Sequence, residues 1–517
     1  MSQNLRPSDA KFAREAMVNS DFGMRNSDLA KDYRLQVIGY KGILSAISYI
    51  PSPVRRMVAW AVVLGILGLV APAPVQADIR VTISTNVNAA IPDRGQYVST
   101  FTIANSGIQT INSVGLNLNL STGGLSQQLY SSLTHGSASE TERFVQVFSN
   151  PVSIASSYTF GSQFDGPWLE SNLWSLLVSD QIKGGPTAQL NSWGLTIEGE
   201  AKTSGTMDPG RSGEVAMAGS GSRGIGAKVN STGTGAEAVA LKATDGQTMV
   251  LSNGISGQGF RKTGAGDLRL QGNSADFTGR LDVEGGKIYV DGTLGSGSTV
   301  SVGSGGKLGG TGTIGALEIA SGGVLAVGNS PGQLNAGNTT WAGGAEYDWE
   351  IDDFTGNDSD FLAGRGTNWD FLNITGTLNV TAGPSSKFII DVLSLLANDN
   401  TTGGNADNWD PLKGYSFSIA TASGGIQIGG ASYGSFGSQS AFDTALNGLF
   451  NIRTTGFSNA PTSSALWNIT TSSGGQTLLL NYNGGATAIP EPNSASLVLL
   501  GLGIAYLRRR RNSVRNV

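Results

Sequence analysis

Cysteine is absent from this 517-residue chain, and histidine occurs once, as His135. The absence of cysteine excludes disulfide bonds, zinc-thiolate sites and thiol nucleophiles. The single histidine excludes sites that need two imidazoles, and a Ser-His-Asp triad would have to use His135. The segment around His135 is predicted to be a loop, and we expect the residue to have a structural role. Stability must therefore come from sheet area or from bound ions.

Charged residues are also scarce, at 14% of the chain against a usual share of ~25%. The formal net charge of -5 leaves no basic footprint for nucleic acid. Glycine is abundant instead, with 75 residues, about twice its average share. The length allows roughly two to four domains. This composition favours an all-β chain of many short strands.

The N-terminal region is interpreted as an export leader. Residues 1–56 form a polar extension that ends in an arginine pair and to which we assign no function. An apolar run at Met57–Val70 follows, and then the small-residue sequence Val75-Gln-Ala77. A basic region, an apolar core and a small-residue site in this order predict a secretory signal peptide. We expect cleavage after Ala77.

The C-terminal region combines Pro490-Glu491-Pro492, an uncharged run at 494–507 and a cluster of arginines. Proline lacks an amide donor and restricts its neighbours, so Pro-Glu-Pro is predicted to be rigid and exposed. The fourteen uncharged residues would make a helix of about 21 Å, shorter than a hydrocarbon core of ~30 Å. The arginines after it favour a cytoplasmic end.

This tail resembles the PEP-CTERM sorting signal of bacterial proteins. The resemblance implies a transient membrane anchor and processing by an exosortase-type membrane enzyme, which would be the partner; an ordinary tail anchor is the alternative. The predicted sorting residues are Pro490, Glu491, Pro492, Arg508, Arg509, Arg510 and Arg511.

Residues 78–200 alternate apolar and polar side chains, as in Leu116-Asn-Leu118-Asn-Leu120. A period of two is typical of half-buried strands in a sandwich. The sequences Trp174-Ser-Leu176-Leu-Val178 and Trp193-Gly-Leu195 resemble the end of the P domain (Homo B) that follows the catalytic domain of subtilisin-like proprotein convertases. The match departs from that family at Ser121–Leu125. The resemblance implies a jelly-roll-like β-sandwich.

Glycine-punctuated strands follow a segment rich in Gly, Ser and Thr. Lys262-Thr-Gly-Ala-Gly-Asp-Leu268 and Phe277-Thr-Gly279-Arg-Leu281 resemble the autotransporter-associated beta-strand repeat. Spacings near twenty residues between Gly-x-Leu units predict the coils of a parallel β-solenoid. The predicted organisation is a leader extension (1–56), a signal peptide (57–77), a sandwich (78–200), a flexible linker (201–245), a solenoid (246–380), a β-rich region (381–486) and a sorting tail (487–517).

Two short patterns that often mark enzymes are interpreted here as turns. Gly328-Asn-Ser330-Pro-Gly332 fits G-x-S-x-G, but no helix follows the serine, as a nucleophile elbow requires. Gly310–Gly315 and Gly219–Gly224 fit G-x-G-x-x-G without opening a helix in a βαβ unit. No catalytic residue and no dinucleotide site are predicted.

The strongest candidate for a bound ion is an acidic strand. Four carboxylates on one face would repel one another, and calcium would relieve this by accepting hard oxygen ligands. The alternative is a solvated outer face whose charges discourage edge pairing. Calcium is the one candidate cofactor, and its predicted ligands are Glu346, Asp348, Glu350, Asp352 and Asp353.

Four tryptophans also lie in this part of the chain and are expected in the core, with sugar stacking as the alternative: Trp341, Trp349, Trp369 and Trp409.

These patterns predict an exported cell-surface or matrix protein with a structural or adhesive role and no catalysis of its own. Exopolysaccharide is a candidate partner alongside the membrane and the processing enzyme. One alternative is a proteolysis-associated protein, in which a P-like domain assists a subtilisin-like serine endopeptidase or is its remnant. A second alternative is an autotransporter-like passenger, although the chain ends in a helix and arginines instead of a barrel strand.

Overall fold

The computed structural model describes residues 78–484 except 104–105, 123–127, 137–142, 150, 152–153, 168–172, 185–186, 356–362 and 473. The predicted leader extension, signal peptide with Ala77, and sorting tail with Pro490, Glu491, Pro492 and the four arginines therefore lie outside the described residues. Among the residues that are described, no helix has the length and apolar character needed to cross a membrane.

The first nine strands form a β-sandwich, as predicted. One sheet has the order β2-β8-β4-β5, and in the other β9 lies between β3 and β1. Period-two burial is clearest on β8, where Trp174, Leu176 and Val178 are fully buried. The strands are β1 (Asp78–Ala90), β2 (Gln96–Thr102), β3 (Ile108–Ser121), β4 (Leu129–His135), β5 (Arg143–Ser149), β6 (Ser157–Phe160), β7 (Gly166–Pro167), β8 (Leu173–Asp180) and β9 (Gln189–Ala201).

The sandwich continues into short strands that stack as parallel coils. Each coil contributes one strand to each of two long parallel sheets, so the strands gain partners only from neighbouring coils. The first of these strands are β10 (Thr206–Met207), β11 (Glu214–Met217), β12 (Gly221–Ile225), β13 (Lys228–Ser231), β14 (Val239–Lys242), β15 (Gln247–Leu251), β16 (Ile255–Thr263), β17 (Asp267–Leu270), β18 (Asn273–Ser274), β19 (Phe277–Val283), β20 (Gly286–Val290), β21 (Thr293–Leu294), β22 (Thr299–Val302), β23 (Gly306–Gly309), β24 (Ala316–Ile319) and β25 (Val324–Leu325).

The coils extend beyond the predicted solenoid end at residue 380. Strands β33, β34 and β36 still pair in parallel with β29, β30 and β31. The remaining elements are β26 (Gln333–Ala336), β27 (Thr339–Trp341), β28 (Glu346–Ile351), β29 (Phe371–Ile374), β30 (Leu378–Val380), β31 (Phe388–Leu396), β32 (Asp399–Gly403), β33 (Tyr415–Ala422), β34 (Ile426–Ile428), β35 (Ala431–Ser432), helix α1 (Gln439–Asn447), β36 (Phe450–Arg453), β37 (Trp467–Thr471) and β38 (Thr477–Tyr482), with short 3-10 turns at Gly235–Glu237, Tyr433–Phe436 and Ser464–Leu466.

Apolar side chains stack in register through the solenoid interior. The Gly-x-Leu spacing places equivalent residues of successive coils opposite one another, and all members of the row are buried. Such a row gives each short strand a core that it could not bury alone. One row consists of Leu268, Ile288, Leu308, Leu325, Tyr347 and Ile390.

Residues 201–245 are not the flexible linker that their composition predicted. Strand β11 pairs antiparallel with β1 of the sandwich, with Val81 opposite Val215. It also pairs in parallel with β14 of the next coil. Small polar residues suit this segment because coil corners need little bulk, while alternate positions such as Val215 and Leu241 are fully buried. One sheet therefore runs from the sandwich into the solenoid.

This continuous sheet should protect residues 201–245 from proteases. Limited trypsin digestion of the native chain is expected to leave the sites in this segment largely uncut, because its strands are held in a ladder on both sides. Val215→Pro removes an amide donor from an internal strand and should expose the segment to cleavage. Rapid cleavage of the unmodified chain within 201–245 would contradict the joined sheet.

Candidate functional site

The acidic strand β28 has the predicted alternation. Tyr347, Trp349 and Ile351 are fully buried, while Glu346, Asp348 and Glu350 on the opposite face are half-buried. The apolar face points into the solenoid because it continues the stacked interior row. The carboxylates consequently lie on the outer face of the parallel sheet, between β25 and β31.

Three carboxylates converge on this outer face, and we name Glu346, Asp348 and Asp391 the carboxylate cluster. Asp391 lies on the neighbouring strand β31, directly opposite Asp348. One carboxylate oxygen from each residue lies within 4.8 Å of the others. No sequence pattern marks Asp391, which is a single acid in the apolar stretch Phe388–Leu396. Only the register of β31 against β28 shows that the two acids meet.

Two cations also reach the carboxylate cluster. Arg453 on β36 forms ion pairs with Asp391, at 3.0 Å between Nη2 and Oδ2, and with Glu346. Lys307 on β23 donates to Asp348 at 2.5 Å. Burial is the main cause that raises the pKa of Glu346 and of Asp391 above the ordinary range. The face is therefore partly desolvated and ion-paired, unlike the solvated face proposed as the alternative.

The remaining predicted ligands are held elsewhere. Asp352 is buried, and burial, followed by its neighbour Asp353, raises its pKa to about 6. Asp353 accepts hydrogen bonds from the amide of Thr355 and from Asn408 Nδ2, both at 2.8 Å. Among the described residues, the group with metal-ligand geometry consists of Glu346, Asp348 and Asp391, not the five predicted acids.

Glu350 lies near a second feature, a buried carboxylate. Asp370 is fully buried and accepts hydrogen bonds from the amides of Gly332, at 2.8 Å, and Glu350, at 3.2 Å. Burial and then the neighbouring Glu350 hold the pKa of Asp370 well above its ordinary range. These bonds tie the Gly328–Gly332 turn to β28. Ser330 in that turn has a left-handed φ of 70°, and no helix follows it, as predicted.

The carboxylate cluster has the hard-oxygen chemistry that calcium prefers, and calcium would have to displace Arg453 or Lys307 from it. Calcium binding remains a prediction. Adding millimolar calcium to chelator-treated protein should raise the thermal unfolding temperature by roughly 1–3 °C, and Asp391→Asn should abolish the rise.

Asp282→Asn is the matched control, because Asp282 lies on the outer face of the other long sheet and pairs with Arg280 at 2.7 Å. This variant should keep the response to calcium. An unchanged unfolding temperature in the unmodified chain, measured by calorimetry, would rule the ion out.

His135 ends strand β4 and does not lie in a loop. It is fully buried, and its ring stacks on Trp174 with centroids 4.1 Å apart and planes 7° from parallel. A side chain in this position packs in the sandwich core.

Three of the four tryptophans are core residues and cannot stack on sugars in this fold. Trp341, Trp349 and Trp369 are fully buried. Trp409 is half-buried, and its indole N–H donates to the carbonyl of Ala460 at 2.7 Å.

No family model matches the chain. The resemblances to a sorting tail, a P domain and the repeat therefore remain predictions. An extracellular serine protease of Serratia marcescens is 36% identical over 154 residues, which are 29% of this chain and 14% of that protein. The chain thus spans a small part of that relative's length. The matched part of the chain is similar to an extracellular protein.

Two solved structures of the Aeromonas sobria serine protease were also found, one of them in complex with its chaperone ORF2. The complex aligns at a TM-score of 0.20 with 16% identity, over 26% of this chain and 29% of that one. The protease alone gives a TM-score of 0.19 with 17% identity over the same shares. These alignments are too weak to bear on the fold or the site.

Proposed function

We propose that this protein is an exported β-structural protein whose solenoid serves as a passenger-type rod that holds the sandwich away from its point of attachment. The observation that carries the proposal is the unbroken sheet from β1 to the last coils, which makes one stiff body of the sandwich and solenoid. The partial similarity to an extracellular protein supports an extracellular location. The autotransporter-like alternative is therefore favoured over a specific adhesive role.

The C-terminal tail distinguishes two routes to that location. Cells carrying the full chain and cells lacking residues 489–517 would be fractionated, and intact cells would be treated with protease to detect surface-exposed chain. A passenger that does not need the tail stays exposed in both strains. A protein sorted by the tail is lost from the surface when the tail is deleted. In cells that carry the full chain, mass spectrometry of the mature C-terminus then locates the cut relative to Glu491. Protein confined to the cytoplasm would overturn the proposal.

We propose further that the chain has no catalysis of its own, since its one histidine is buried against Trp174. The similarity of part of the chain to an extracellular serine protease is the reason to test the alternative, a proteolysis-associated function. Peptidase assays of the purified chain on casein and on short peptides should give only background rates. Activity that His135→Ala or Ser330→Ala removes, with the folded structure retained, would establish an enzyme and contradict this proposal.

A further inference from the structure

A shallow polar groove of about 410 Å³ lies on the outer face of the sandwich sheet that leads into the solenoid. Its floor crosses five strands. Cross-strand pairing places Thr159, Gly115, Thr196, Thr82 and Glu214 in one row, from β6 through β3, β9 and β1 to β11. Adjacent strands lie ~4.8 Å apart, so the row extends for roughly 19 Å.

Gly115 lies in this row, and the backbone geometry at its position does not require a glycine. A methyl group at this position would lie 3.6 Å from Thr196 and 3.8 Å from the carbonyl of Tyr158, which are ordinary contacts. The glycines of the adjacent strand differ, because a methyl at Gly194 would lie 2.6 Å, and one at Gly199 2.0 Å, from a backbone oxygen. A glycine inside a strand costs about 0.5–1 kcal/mol relative to alanine. Where the fold does not require one, a close-lying ligand is a physical reason for it.

Each acid among the described residues that line the groove is paired with a cation. Glu198 pairs with Arg80, whose Nε donates to Oε1 at 2.6 Å, and Glu214 pairs with Lys242 at 3.3 Å. The rest of the lining is mainly hydroxyl and amide side chains. The hydroxyls of Thr82 and Thr196 lie 3.4 Å apart. Tyr158 is the one residue with a large apolar side chain among the described residues of the lining, so lipids and apolar peptides find little apolar surface in the groove. A strongly charged polymer finds no net counter-charge.

From these observations we infer that the groove binds a neutral carbohydrate chain. Paired threonine hydroxyls, an amide and a neutralised Arg-Glu pair supply donors and acceptors in a row, as a polyhydroxylated ligand requires. The missing side chain at Gly115 lets a sugar ring lie against the sheet. This inference rests on the proposed extracellular location and adds the ligand class to it.

Gly115→Val tests the inference directly. Valine fits a strand and fills the groove floor, so thermal stability should stay equal or rise. The purified full chain would be run through native gels that contain cellulose derivative, xylan, α-glucan or galactomannan, with alginate as the acidic comparison. We expect retardation by at least one neutral polysaccharide and binding at least ~10-fold weaker in Gly115→Val, equivalent to ~1.4 kcal/mol.

Thr100→Val is the matched control, because Thr100 is exposed on β2 of the opposite sheet and lies outside the groove. It should bind as the unmodified chain does. The inference is overturned if no neutral polysaccharide retards the chain, if alginate alone does so, or if Gly115→Val binds normally. Binding is measured on purified protein, so its outcome is separate from the fractionation result that tests the extracellular location.

Discussion

Replacing Trp349 by alanine should destabilise the solenoid by about 3–5 kcal/mol, the usual cost of truncating a buried tryptophan. Trp349 is fully buried, its ring lies 5.2 Å from Phe417, and its indole N–H donates to the carbonyl of Asp370 at 2.9 Å. The substitution therefore leaves a cavity and removes the partner of a buried carbonyl. Urea unfolding followed by circular dichroism would measure the loss.

Trp409→Ala is the control from the same aromatic group. Trp409 is half-buried, so part of the space vacated by its side chain is open to water and the loss of stability should be smaller. The comparison also tests the two roles considered for these tryptophans. If Trp349→Ala left stability unchanged but weakened binding to a polysaccharide, the assignment of Trp349 to the core would be wrong.

Lys262→Met should destabilise the chain by roughly 2–4 kcal/mol at neutral pH. The Lys262 side chain is fully buried, and its Nζ donates to the carbonyls of Thr263 at 3.0 Å, Gly264 at 2.9 Å and Gly285 at 2.9 Å. Since Gly264 and Gly285 belong to successive coils, the ammonium group clamps two corners together. Methionine has similar length but leaves these carbonyls without the donor.

The pH dependence of this effect has a definite sign. Burial lowers the pKa of Lys262 to about 8, from an ordinary value of 10.5. Between these values the unfolded chain binds more protons than the folded chain, so this residue's contribution to stability rises with pH across that window. The difference in unfolding free energy between the unmodified chain and Lys262→Met should thus grow from about pH 8 to about pH 10.

Lys242→Met is the matched control for both measurements. Lys242 occupies the adjacent strand β14, but its side chain is 42% exposed and pairs with Glu214. An exposed ion pair of this kind contributes about 0–1 kcal/mol. Equal losses in the two variants would show that the clamp at Lys262 does not stabilise the coils. A gap that shrinks as the pH rises from 8 would show instead that the pKa of Lys262 is not lowered in the folded chain.

Local side-chain periodicity was sufficient to predict the fold class. The alternation in β8 and β28 identified which side chains enter the core, because successive residues of a strand point to opposite faces. The spacing of Gly-x-Leu units similarly predicted the stacked coils. The segment 201–245 was misjudged because its coils bury few large side chains, so composition alone could not distinguish ordered corners from a linker.

Only part of the candidate site could be predicted from the sequence. Glu346 and Asp348 follow from the alternation of a single strand. Their partners do not, since Arg453 is 107 positions from Glu346, and that separation spans coils of unequal length. A register shift of one residue would turn Asp391 to the opposite face.

The sequence by itself determined that this chain is all-β, low in charge, unable to use cysteine chemistry, and built from coils that must stack to bury a core. Those properties depend on residue types and on periods of two and about twenty, which are local. Tertiary structure alone decided that sandwich and solenoid share one sheet, that His135 packs against Trp174, and that a groove opens over Gly115. Each of these depends on which distant strands become neighbours, and pairing energy between distant strands leaves no local mark in the sequence.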